Sequence, residues 1–463
     1  MSQGSFVFTS MALRSLELDE DMLARHKHKK QLATHHFNSY MLQKEIRERT
    51  LLRTTMPPAI CHDLVIQNAL YTGDLQAMQQ LFPRGSSTNL IIEPQGGDMR
   101  WVSTGEGLWS LTYEQELTTP LHITAGRGFS ECLRLLLQRG ANVDLAPGGT
   151  TALHESCENC QPECTKLLLI HGANANAVTE DGLMPLHFCT SPESFECAKY
   201  LLQYGAAING RTVDEDDTPL HVAASNSLSD HTELYLRYGA AVDKQNSEGL
   251  TPLNAACSQP QELQELESYL KVCQMLLGAG ANVQTKDQDK HSPLHMACKN
   301  VNPDIVDLLL AHGACVNDMD YGGEAPMHNI LKVVCYKVSN HPERIVRALL
   351  NHGSIRVWPG ALPMVLKHCC GSPRTIEVLL NAYSSLKVND TWVEAVSPEV
   401  LKEHKEFYES VFSLERSPRS LQHLARCRIR SFLELQVHKV VPELDLPTFI
   451  KNYLLLEYRD YVH

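Results

Sequence analysis

One regularity constrains this chain more than any other. A Thr-Pro-Leu-His string at residues 119–122 returns about every 33 residues. The slot of Pro120 is refilled by Ala152, Pro185, Pro219, Pro252, Pro293 and Pro326, at intervals of 32, 33, 34, 33, 41 and 33 residues. The histidine two places on recurs as His122, His154, His187, His221, His295 and His328, with Asn254 the exception. Sixteen and seventeen places after the proline slot stand Leu136/Leu137, Leu168/Leu169 and Leu201/Leu202. The pair returns as Leu276/Leu277, Leu309/Leu310 and Leu349/Leu350; Tyr235/Leu236 is the imperfect copy. The Leu276 and Leu349 pairs need insertions of eight and seven residues. Such a period specifies a stack of like units, each touching its neighbours, rather than several independent domains.

Each unit reads as two helices and an outward loop. Thr119 can cap the first helix through its hydroxyl, and Pro120 suits the first helical position, where a missing N–H costs nothing. Leu121 and Ala125 share one face, and Leu133, Leu136 and Leu137 form the buried stripe of a second helix. Gly140 ends that helix in a left-handed turn. Period and string together resemble the ankyrin repeat. The fold class expected is therefore all-α dominated, an ankyrin-repeat solenoid of helix pairs with hairpin loops. About nine units fit residues 61–383. The first, with Val65 in the proline slot, and the last, with Pro363, are degenerate. An insertion at 88–113 carries Trp101 and Trp109 in a Gly-rich loop, which suits a partner contact or a plug over the inner face.

The 463 residues carry net charge −13, which argues against nucleic acid as the main ligand. No apolar run reaches eighteen residues, so no membrane span is expected. Fifteen cysteines without a secretory signal read as reduced thiols, placing the chain in the cytosol or nucleus. Residues 1–60 read as a helical extension whose basic run, Lys27, Lys29 and Lys30, suits a nuclear-import signal or a solvated helix face. After Tyr383 the period stops. Residues 384–417 read as a linker, with one connecting helix from Pro398 to Phe412.

The final block, 418–463, follows another pattern. Leu421, Leu424, Ile429 and Leu433 fall near helical spacing. Leu444-Asp445-Leu446-Pro447 then leads to a second apolar helix that Thr448 can cap. By periodicity this is a small helical hairpin, too short for a core of its own. The block resembles a SOCS box, and the chain resembles the ankyrin-repeat and SOCS-box family. The resemblance implies a non-catalytic substrate receptor of a ubiquitin ligase. It implies that the box binds elongin C, and with it elongin B, through Leu421, Leu424, Ala425 and Ile429. Ala425 stands where the family has cysteine. It implies that Leu444, Leu446 and Pro447 meet cullin-5, which carries the RING subunit. Asp445 replaces the family's first proline there. The competing reading is an ankyrin scaffold with a silent box.

Substrate would meet the loop tips and inner helices. The acidic tip residues Asp181, Asp214, Glu215, Asp216, Asp217 and Glu248 suit a basic patch on a target, or equally a solvated loop. His154, Cys157, Cys160 and Cys164 have zinc-like spacing. Register assigns most of them to the core. Cys157 shares its slot with Ala125, Ala224, Cys257 and Cys298, and Cys164 with Cys132 and Cys197. Neither metal nor cofactor is expected. No nucleophile elbow, phosphate loop or kinase signature occurs, so no catalytic residue is expected.

Overall fold

The structure is a computed structural model that describes residues 60–84, 88–92, 100–103, 109–112, 117–262, 264–414 and 419–457. The basic run at Lys27–Lys30 lies outside them, as do the side chains of Trp101 and Trp109. The described chain is dominated by helices. It falls into two compact units. One runs to Val222 and takes in Arg237–Ala240; the other comprises Ala223–Leu236 and everything from Ala241.

In the first unit, helix pairs follow the repeat. Asp63 and Asp74 cap Leu64–Thr72 and Leu75–Leu81. Pro120–Gly126 pairs with Ser130–Gln138, and Ala152–Glu158 with Pro162–Ile170. The Pro185 segment departs from the pattern. It is a single 3₁₀ turn, Pro185–Phe188, followed by a second at Pro192–Ser194 before the helix Phe195–Gln203. Met184 stands where Thr119, Thr151, Thr218, Thr251 and Ser292 offer a hydroxyl, and Ser191-Pro192 stops propagation, since the residue before proline is pushed out of the helical region. The insertion is no plain loop: Arg100–Ser103 pairs antiparallel with Trp109–Thr112. Upstream, Ile60–Cys61 pairs parallel with Ile91–Ile92.

The second unit continues with Pro252–Ser258 and Leu266–Gly278, then Pro293–Asn300 and Pro303–Ala311. Pro326–Val333 and Pro342–Asn351 follow, then Leu362–Cys369 and Pro373–Leu380. The leucine pairs at 276, 309 and 349 are all buried, as are those at 136, 168 and 201 in the first unit. Burying one such side chain stabilises by roughly 1.5–3 kcal/mol, so the stripe is the main glue of the stack. Gly140 has φ +88°, and the Ala141 N–H reaches back to the Leu136 carbonyl, closing the helix as a Schellman turn.

Tips are turns rather than strands among the described residues, and within each unit side chains tie successive tips. Asp144 Oδ1 accepts the Asn174 N–H (2.9 Å), and Asp243 Oδ1 accepts the Asn282 N–H (2.9 Å).

The linker differs from the expected single helix. There are three: Asp390–Ala395, Pro398–Glu403 and Lys405–Ser413. His404, at φ −115° and ψ 41°, breaks the run. The break lets Phe407, Tyr408 and Val411 turn inward, and the Tyr408 hydroxyl donates to the Cys370 carbonyl (2.5 Å).

Candidate functional site

The recurring histidines are joints. In the second repeat pair the Thr151 N–H donates to His154 Nδ1 (3.1 Å), so that nitrogen carries no proton. Nε2 therefore carries it, and donates to the Ala177 carbonyl (3.1 Å) in the next loop. His122 does the same between Thr119 (2.7 Å) and the Thr150 carbonyl (3.0 Å). His295 joins Ser292 (2.8 Å) to the Glu324 carbonyl (3.2 Å). Burial pulls His122 and His187 down to about 4, so both rings are neutral at pH 7. Asn254 substitutes by amide chemistry. Its Oδ1 accepts from the Thr251 and Thr285 hydroxyls (2.7 and 2.6 Å), and its Nδ2 donates to the His291 carbonyl (3.4 Å).

The zinc-like quartet is dispersed in the same way. Both His154 nitrogens are engaged, Cys157 is buried, and the Cys164 thiol points to the Thr124 carbonyl (3.9 Å). Cys160 sits at φ +55° with its sulfur 3.1 Å from Ser191 Oγ.

The acidic tips are not equivalent. Asp181, Asp214 and Glu215 are exposed in the first unit, and Glu248 in the second. Asp216 is not a surface charge: it is buried at φ +61° and ion-paired with Arg211. Its place is that of Gly149 and Gly182, and the left-handed backbone turns its carboxylate inward. Asp217 is half-buried, and its carbonyl takes the His187 Nε2 proton (3.2 Å).

The C-terminal block carries the most distinctive surface. Ser420 caps a helix from Leu421 to Leu433. A 3₁₀ turn, Glu434–Gln436, leads into Val437–Glu443, and Thr448–Leu454 follows. This corrects the two-helix hairpin: the stretch before Leu444 makes its own helix. Val437, Val441 and Leu454 form a small core, with Leu433, Leu446, Ile450 and Leu455 against it. Leu433 thus belongs inside rather than on the outer stripe.

One side of the Leu421–Leu433 helix is polar and docks on the last repeats. His423 Nε2 donates to the Tyr383 carbonyl (2.8 Å), and its Nδ1 accepts from Arg426 (2.9 Å). Arg426 is buried, with its guanidinium 4.2 Å over the Tyr453 ring. Arg430 donates to Asn351 Oδ1 (2.7 Å) and to the Leu350 and Leu454 carbonyls (3.1 and 2.7 Å). Burial, then the nearby Arg426, pulls its guanidinium down to about 10.

The opposite side is exposed and largely apolar, with Arg428 the charged residue among its leucines. Leu421 is 85 % exposed, Leu424 and Ile429 40 % each, and Ala425 is exposed between them. Phe432, absent from the stripe read in the sequence, continues it at 85 %. Its signal was present: residue 432 is eleven past Leu421, three helical turns on. Leu435, beyond the break at Glu434, lies against Gly353 instead. Beyond the helix, Leu444 and Leu446 are half-buried, while Asp445 and Pro447 are exposed.

Two comparisons bear on this arrangement. A SOCS box model matches residues 417–455, and an ankyrin-repeat model matches overlapping segments from 66 to 357. Human ankyrin repeat and SOCS box protein 16 is 39 % identical over 456 residues, 98 % of each chain. The chain belongs to the ankyrin repeat and SOCS box family. Human protein 10 of the family is 45 % identical, covering 88 % of this chain and 89 % of its own. Human protein 18 is 41 % identical, covering 86 % and 87 %. Family members are in general substrate adaptors, and their boxes link to elongin–cullin ubiquitin ligases. Among the described residues no helix is long and apolar enough to cross a membrane.

Proposed function

We propose that this chain is a non-catalytic substrate receptor of an elongin B/C–cullin-5–RING ubiquitin ligase. The observation that carries it is the bare apolar face of Leu421, Leu424, Ala425 and Ile429 on a helix whose other side is anchored. A monomeric protein gains nothing by leaving such a stripe in water; a stripe of this kind marks a partner. Leu421, the most exposed leucine of the face, fills the apolar pocket of elongin C, and elongin B follows. Leu444, Leu446 and Pro447 meet cullin-5; of these Pro447 offers the freest contact, because Leu446 also supports the box's own core. The repeat tips, with Asp181, Asp214, Glu215 and Glu248 outermost, hold the target. Asp216 and Asp217 shape their tip from within. Catalysis is by proximity: a target lysine is held near the ubiquitin thioester carried by the RING subunit's partner enzyme, which raises its effective concentration.

The test is a native pull-down with purified elongin B/C and cullin-5. A buried anchor costs at least about 2 kcal/mol when removed, roughly thirtyfold in affinity. Leu421→Asp costs more, since it also buries an unpaired charge. It should abolish elongin capture and ubiquitin transfer while the repeats stay folded. Pro447→Ala should retain elongin and weaken cullin. Wild-type elongin capture by Leu421→Asp would leave the chain a scaffold with a silent box.

A further inference from the structure

We propose that the elongin C contact of this chain extends past Ile429, with Phe432 as a second anchor. This rests on the reading of the box as an elongin-binding element. At 100° per residue, Phe432 lies about 20° around the helix from Leu421 and about 16 Å along it. It is therefore central to the bare face, not peripheral. Its exposure is not a packing defect, because the neighbouring Leu433 turns inward to Val437, Val441 and Leu454 while Phe432 stays on the outer side. An aromatic ring so exposed matches the residue class that dominates interface energetics. Ala425 narrows the middle of the face, and Phe432 restores apolar area about two turns further on.

Calorimetric titration of the full chain with elongin B/C separates the outcomes. Phe432→Ala should weaken binding about tenfold or more, with an unchanged melting temperature. Phe432→Leu should recover most of the affinity. If Phe432→Ala binds like wild type while Leu421→Asp does not bind, the extended contact is wrong and the box reading stands. If Leu421→Asp also binds like wild type, the box reading itself falls.

Two successive tips of the second unit meet through one histidine. His291 Nδ1 lies 3.2 Å from Asp287 Oδ2 on its own tip, and Nε2 lies 3.5 Å from Asp320 Oδ2 on the next. Both carboxylates are nearly enclosed. In the other repeats this position holds Thr150, Leu183, Asp217, Leu250 or Glu324, none of them cationic. The same two tips share three further links. The Tyr321 N–H donates to the Asp289 carbonyl (3.0 Å), Lys290 lies 4.7 Å over the Tyr321 ring, and Lys286 pairs with Asp318 (2.9 Å). We infer that His291 is a titratable clamp, holding the 287–291 and 318–324 tips together as one plate when protonated and loosening them when neutral.

The tip that carries His291 supplies Asp287, Asp289, Lys286 and Lys290, and the next supplies Asp318, Asp320 and Glu324, the last paired with Lys332. The helix below supplies His295, whose ring lies 6.0 Å away. From the preceding tip the Glu248 carbonyl takes the Gln288 N–H (3.0 Å), the Ser247 carbonyl takes Gln288 Nε2, and Gln245 Nε2 donates to the Lys286 carbonyl (3.5 Å). The Asp287 hydrogen bond raises His291 above its usual range, with Asp287, Asp320 and Asp289 charges adding to it against burial. A raised histidine contributes stability below its unfolded pKa and loses it as pH rises through the folded value. The clamp should therefore open as pH rises through that raised value. Amide exchange at Tyr321, corrected for intrinsic rate, should lose protection as pH is raised. His291→Arg should keep protection throughout, and His291→Gln should show low protection at every pH. Protection independent of pH in wild type, or unchanged pH dependence in His291→Gln, would overturn the clamp.

Discussion

At the residue scale, the units are joined by neutral imidazoles. His122, His154, His187 and His295 each bind the hydroxyl or backbone of their own helix start and a carbonyl of the following loop, so the tautomer is set. Folded values near 4 for His122 and His187 lie below the usual 6.5. A depressed histidine contributes stability above its unfolded pKa and loses it as pH falls toward the folded one. Chemical denaturation followed from pH 7 to pH 4 should show stability dropping through that window, with His122→Asn flattening part of the slope. Asparagine is the choice because Asn254 already performs the role. The leucine stripe gives the larger number. Leu309 is fully buried, and Leu309→Ala should cost roughly 2–5 kcal/mol in urea unfolding. A wild-type midpoint would disprove the register. These residues were legible in the sequence because each position is repeated with its neighbours at constant spacing. The buried Asp216 was not, since one left-handed backbone residue reverses which way an acidic side chain faces.

At the element scale, the Leu421–Leu433 helix has two unlike sides, and each has its own test. Arg430 ties it to the Pro342–Asn351 helix and to Leu454 at once. Arg430→Ala removes the donor from Asn351 Oδ1 and the Leu454 carbonyl, while the Leu350 carbonyl keeps the Gly353 N–H. Loss of hydrogen bonds made by a charged group costs about 1.5–3 kcal/mol. Hydrogen exchange should rise through 437–454 while the leucine-pair helices keep their protection; equal protection throughout would mean the box is held by other contacts. The apolar side was half legible. Leu421, Leu424 and Ile429 follow a period visible in sequence, but the period alone assigned Leu433 to the same stripe. Only the fold of Val437–Glu443 back onto the helix separates Leu433, inside, from Phe432, outside. The linker shows the same limit: Pro398 to Phe412 has continuous helical composition, and the break at His404 comes from where Tyr408 is buried.

At the scale of the whole molecule, the repeats and the box divide the work. Changes in the repeats should alter target capture without changing elongin affinity. Replacing Asp214 and Glu215 with serine should weaken capture of a basic target, more at low salt, because exposed charges are screened as salt rises. Equal capture at all salt concentrations would make that tip a solvated loop. Asp216 is left in place, since its removal would strand Arg211. The sequence by itself determined the repeat family, its register, the capping histidines and the presence of a terminal box. All of these are periodic or local, written in spacings along the chain. Tertiary structure decided which members of an apolar run remain bare, which acidic residues turn inward, and which side of the box helix is anchored. Those outcomes depend on segments far apart in sequence meeting, and on where the buried area and hydrogen bonds of each meeting leave the remaining faces.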